Sequence, residues 1–108
     1  MPNKNYIKGR ALEYKIKQEL EENGWFVVRS AGSHGPIDLA CFSEDAIALI
    51  QCKTKAPTKP EVETLAKFVQ EHLYLYRVHK VAVLIMTPEQ VYTFMPANHK
   101  SKKGGYIQ

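Results

Sequence analysis

Two short apolar runs constrain this chain more than any other stretch: Gly35-Pro36-Ile37-Asp38-Leu39-Ala40 and Ala48-Leu49-Ile50-Gln51-Cys52-Lys53. The polar cluster Ser43-Glu44-Asp45 separates them, so both read as strands of a hairpin turning at Glu44-Asp45. The first run carries a carboxylate in apolar surroundings. The second ends in an amide, a spacer and an amine. Side chains alternate along a strand, which puts Gln51 and Lys53 on one face and Cys52 on the other. A one-for-one count through the hairpin sets Asp38 opposite Gln51, on the face that also carries Lys53. An acid, an amide oxygen and an amine on one patch of sheet make a place to hold a divalent cation and activate a water.

The rest of the chain supplies cover for that sheet. From Tyr6 to Asn23, Leu12, Ile16 and Leu20 recur every fourth residue among Lys and Glu, the pattern of an amphipathic helix, and Gly24 stops it. Glu13 falls beside this stripe, with Gly9 one turn earlier on the same side. A carboxylate there either snorkels at the edge of the stripe or needs a partner or a cation, because an unpaired buried charge is costly. Arg10 and Lys17 read as solvated, with Arg10 within reach of a phosphate. Trp25 to Arg29 is dense in aromatic and β-branched residues and predicts the first strand. The small-residue loop Ser30 to Pro36 then delivers the chain to Asp38. It is either a plain turn or a loop that brings backbone N–H groups close to a phosphate.

Beyond Lys53, Thr58-Lys59-Pro60-Glu61 has capping-box spacing and opens a helix burying Val62, Leu65, Ala66, Val69, Leu73 and Tyr76. Lys80 to Met86 is a continuous apolar run, hence a strand covered on both faces. Gln90 to Met95 alternates as a final edge strand. The order αβββαββ predicts one mixed central sheet flanked by two helices, in the α/β (α+β) class. Residues 1–96 read as one domain and 97–108 as a basic flexible tail. Its Lys100, Lys102 and Lys103 either follow a phosphate backbone or stay solvated.

A net charge of +4 and a pI near 9.1 favour an anionic partner without the excess of a histone-like binder. No run of eighteen apolar residues and no charged-then-apolar leader are visible, so a membrane span is not expected and a cytoplasmic location is. Cys41 and Cys52 sit within strand patterns and read as buried reduced thiols. The four histidines are scattered without zinc spacing.

Glu13 on a first helix, Asp38 at a second strand and Gln51-Cys52-Lys53 on a third resemble the PD-(D/E)xK nuclease superfamily, the restriction-endonuclease-like fold. Pro36-Ile37-Asp38 supplies the first half of that motif, with one residue inserted between Pro and Asp. Within the superfamily, Gly9-Arg10-Ala11-Leu12-Glu13, Gly24 to Ser30 and Gly32-Ser33 are most similar to archaeal-type Holliday junction resolvases. The resemblance runs from Lys8 to Ile85. One departure matters: the usual acid of the third-strand motif is Gln51 here, which can ligate a hard cation but brings no charge.

The resemblance implies a metal-dependent DNA endonuclease acting on four-way junctions as a homodimer. Asp38, Gln51, the main-chain carbonyl of Cys52 and Glu13 would hold Mg²⁺, with Mn²⁺ able to substitute. Lys53 would position or deprotonate the attacking water, and Ser33 would touch the scissile phosphate. Arg10, Arg29, Ser30, His34, Lys55 and the tail lysines would bind DNA. The alternatives are a restriction- or homing-type endonuclease on duplex DNA, or a DNA-binding module of the same fold with weak catalysis, marked by Gln51.

Overall fold

A computed structural model describes residues 4–30, 35–95 and 106–107. Its first element, α1 (Lys4–Glu22), ends in a Schellman motif. Trp25 N–H donates to Leu20 O at 3.1 Å, Gly24 N–H donates to Glu21 O at 3.1 Å, and Gly24 takes φ +92°. Leu20 and Trp25 pack into the same apolar cluster, the contact that accompanies this cap. The motif turns the chain directly into β1 (Phe26–Arg29).

The strands β1, β2 (Leu39–Phe42) and β3 (Ile47–Cys52) form an antiparallel meander. A crossover through α2 (Lys59–Glu71) and α3 (Leu73–Val78) lays β4 (Val81–Met86) parallel to β3. Antiparallel β5 (Val91–Phe94) and β6 (Tyr106–Ile107) complete the sheet in the order β1-β2-β3-β4-β5-β6. Two apolar clusters fill its two sides. Ile16, Val27, Leu39, Cys41, Ala48, Ile50 and Cys52 pack with Leu12 and Leu20 of α1. Leu65 and Val69 of α2 pack with Val83, Ile85 and Phe94. The mixed sheet between helices is the one expected from the sequence.

Three local features differ from that expectation. The helix after Thr58 is not continuous to Tyr76: it breaks at His72, whose backbone takes φ −125° and ψ 34°. His72 Nδ1 bonds Phe68 O at 2.7 Å and its ring stacks on Phe68, so the side chain takes the carbonyl a continuing helix would use. The strand at Val91 is not the last, because Tyr106 and Ile107 pair with Phe94 and Thr93. The basic tail therefore includes a short strand at its far end, whereas 97–105 lie outside the described residues.

The third difference concerns register. Leu39 faces Ile50, as a one-for-one hairpin count requires. Asp38 N–H, however, also donates to Ile50 O, at 2.8 Å. Two residues of one strand thus meet one residue of the other, the arrangement of a β-bulge, and Asp38 is not simply opposite Gln51.

The cap at Gly24 yields a test of the α1–β1 turn. A Cβ there would meet nothing within 4 Å, so Gly24→Ala suffers only from the backbone conformation. We expect a loss of roughly 1 kcal/mol, a fall in Tm of about 4–8 °C. An unchanged thermal unfolding curve would mean that the left-handed cap does not matter.

Candidate active site

Asp38 is fixed at three points. Its N–H donates to Ile50 O at 2.8 Å, and its carbonyl accepts from Ser30 N–H at 2.8 Å. Its carboxylate Oδ2 accepts from Cys52 N–H at 2.8 Å. The bulge explains the last contact: adding a residue to one strand re-aims a side chain, here toward the end of β3. Burial pushes the Asp38 carboxyl up from its ordinary value, opposed by the Cys52 N–H and by the charges of Lys53 and Arg29.

Glu13 reaches the same region from α1. It is neither solvated nor unpaired: Arg29 Nε donates to its Oε1 at 2.9 Å, with both side chains about four-fifths buried (20% and 18% exposed for Arg29 and Glu13). Burial raises the Glu13 carboxyl, the negative charge of Asp38 raises it further, and Arg29 pulls against both. The Arg29 guanidinium also lies over the Tyr14 ring, 4.9 Å from its centroid, with Arg10 at 5.6 Å from the same ring. Tyr14 thereby joins two arginines expected to bind DNA. Its signal in the sequence was the spacing of four residues from Arg10, which puts both on one side of α1.

The third-strand residues divide as alternation requires. The Cys52 thiol is buried on the α1 side with Ile16 and Leu39. Burial raises its pKa, and the nearby Asp38 and Glu13 charges raise it more, so it stays a thiol and only its main chain serves the site. Cys41 is likewise free and buried, pushed up to about 11 by burial. Gln51 is partly buried, and its Oε1 has no hydrogen-bond donor among the described residues. Lys53 projects at the end of β3, with its N–H bonded to Met86 O at 2.9 Å and its Nζ paired with Glu61 on α2. Glu61 is held below the usual carboxylate range by that Lys53 hydrogen bond first and by the Thr58 N–H second. The capping box was legible in the sequence, but its reach back to Lys53 was not. That contact depends on how residues 54–57 fold.

Among the described residues, no three His, Cys, Asp or Glu side chains cluster as a metal site. The oxygens available are therefore of mixed kind: the Asp38 and Glu13 carboxylates, the Gln51 amide and main-chain carbonyls. Hard oxygens suit a hard cation. A cation would give the orphaned Gln51 oxygen a partner and relieve the repulsion between Asp38 and Glu13, so these residues fit one. Ser30 and Lys55 are exposed, with Lys55 beside Lys53 in one cleft. Ser33, His34, Lys100, Lys102 and Lys103 lie outside the described residues.

A family model, that of the archaeal Holliday junction resolvase (Hjc), matches residues 4–106. The chain belongs to that family. The archaeal resolvases are members of the restriction-endonuclease-like superfamily. Crossover junction endodeoxyribonuclease Hjc of Methanocaldococcus jannaschii is 37% identical over 68 residues, covering 58% of this chain and 50% of that protein. The match thus spans half the length of this curated relative. The structure of Hjc from Archaeoglobus fulgidus, a Holliday junction resolvase of an archaeal hyperthermophile, superposes with a TM-score of 0.50. It is 22% identical, over 81% of this chain and 71% of that one, and supports the same fold. In this resolvase-family chain the described elements gather Glu13, Arg29, Asp38, Gln51 and Lys53 around the end of β3.

The raised Asp38 carboxyl has a consequence for stability. A carboxyl raised on folding favours the fold fully below its unfolded value, and that contribution is lost as pH rises through the folded value. In chelator at pH 7, Asp38→Asn should therefore stabilise the protein and raise its Tm. The gain should vanish below the ordinary carboxyl value of 3.8. A Tm difference that does not change with pH would contradict the assignment of an electrostatic penalty at Asp38.

Proposed function

We propose that this chain is a Mg²⁺-dependent endodeoxyribonuclease, with Mn²⁺ able to substitute, that hydrolyses phosphodiester bonds in four-way DNA junctions. It acts in the cytoplasm as a homodimer whose two sites address two strands of one junction. The observation that carries the reading is the meeting of Asp38, Glu13 and Lys53 at the end of β3, in a chain of the archaeal resolvase family. The net charge of +4 suits a nucleic-acid partner.

Asp38, Gln51, Glu13 and the Cys52 carbonyl are the groups that would hold the ion. When bound, Mg²⁺ supplies Lewis-acid polarisation of the phosphate and a more acidic water. The remaining chemistry belongs to side chains. Lys53 carries positive charge beside the reacting phosphate and stabilises the charge that builds there. The water oxygen bonds to phosphorus and releases a proton to solvent, the bond from phosphorus to the leaving sugar oxygen breaks, and that oxygen takes up a proton from solvent. Arg29, tied to Glu13, keeps a carboxylate of the site from standing unpaired, and Arg10, Ser30 and Lys55 offer contacts to the DNA backbone.

Cleavage of a four-way junction, compared with a matched linear duplex in Mg²⁺, tests the reading. Wild type should cut the junction preferentially. Asp38→Ala should abolish cutting while DNA binding persists, and Lys53→Ala should cost about 10²–10³-fold in rate. Equal cutting of both substrates would favour a restriction- or homing-type enzyme, and binding without cutting in Mg²⁺ and Mn²⁺ a DNA-binding module. Restoring the missing charge with Gln51→Glu should lower the Mg²⁺ concentration for half-maximal cleavage by roughly tenfold. An unchanged requirement would remove position 51 from the metal shell.

A further inference from the structure

The contact between Lys53 and Glu61 has a use that the nuclease reading leaves open. The α2 helix opens at Thr58 with a capping box: Glu61 N–H donates to Thr58 Oγ1 at 3.4 Å, and Thr58 N–H donates to Glu61 Oε1 at 2.8 Å. The other carboxylate oxygen, Oε2, accepts from Lys53 Nζ. Glu61 therefore ties the first turn of α2 to the end of β3 across residues 54–57. The two side chains are 30% and 33% exposed, and an ion pair so open to water adds little to stability. Its effect is geometric. A lysine side chain has four rotatable carbons and three donor hydrogens. Holding one hydrogen against Glu61 restricts the chain while two remain for a phosphate.

We infer that Glu61 is a positioning residue, fixing Lys53 at the end of β3 through one carboxylate oxygen while the other anchors it to α2. This rests on the reading of Lys53 as the group that acts at the scissile phosphate. Glu61 touches neither substrate nor reacting atoms and works through Lys53.

Glu61→Gln separates the two tasks of the carboxylate, because glutamine also completes a capping box but carries no charge for Lys53. Single-turnover cleavage of a four-way junction at saturating protein should slow by about 10-fold or more, with the junction Kd within about twofold of wild type. Thr58→Ala, which keeps the backbone N–H bonded to Glu61, should lower Tm yet hold the 25 °C rate within about twofold. The double variant Lys53→Ala/Glu61→Gln should be no slower than Lys53→Ala alone. A Glu61→Gln rate equal to wild type, or the same loss in both backgrounds, overturns the inference. If wild type leaves the junction uncut, the nuclease reading fails on its own, and ¹⁵N NMR of the Lys53 ammonium decides the positioning. Proton exchange slow in wild type and fast in Glu61→Gln supports it; equal exchange in both overturns it.

Discussion

The hydrogen bond from Cys52 N–H to the Asp38 carboxylate governs the architecture of the site. Where the β2–β3 ladder ends, a main-chain donor would face no main-chain acceptor in register, because the bulge has spent an extra residue on Ile50. Buried donors without acceptors cost about as much as a lost hydrogen bond. The carboxylate supplies the acceptor. The Asp38 side chain thus completes a sheet, and the sheet holds that side chain in place.

Other groups are arranged around this clamp from both faces. The α1 helix brings Glu13 and, through it, Arg29 at the end of β1. The α2 helix brings Glu61 to Lys53. The parallel pairing of β3 with β4 makes this possible, since it forces a crossover that lands the start of α2 near the end of β3. The cover on the α1 side depends in turn on the left-handed turn at Gly24, which sends β1 back along the helix that precedes it.

What the sequence made legible followed periodicity and local chemistry. The spacing of Leu12, Ile16 and Leu20 located α1, the unbroken run in β4 marked a central strand, and Thr58 with Glu61 marked the start of α2. Asp38, Gln51 and Lys53 stood out because polar groups in apolar strands need a reason. What stayed hidden depended on interactions without a period. The bulge adds one residue that no alternation pattern records. The break at His72 arises from a side chain competing for the Phe68 carbonyl, while Leu73 and Tyr76 keep the apolar spacing of an unbroken helix. The pairing of Glu13 with Arg29 joins residues 16 positions apart, and only the antiparallel return of β1 against α1 brings them together.

The neutral residue at position 51 acquires a physical sense from these pairings. Glu13 and Glu61 each have a cationic side chain in contact, Arg29 and Lys53 respectively, so neither carboxylate stands unpaired. Asp38 is held by a backbone N–H and feels the Lys53 and Arg29 charges, yet burial still raises both it and Glu13. A glutamate at position 51 would add another charge to a partly buried region where two carboxylates already repel. Gln51 avoids that penalty and keeps an oxygen in place. Its Oε1 is a buried acceptor with no donor among the described residues. On the metal-dependent reading proposed above, the same neutrality would ease folding without an ion and weaken the hold on one.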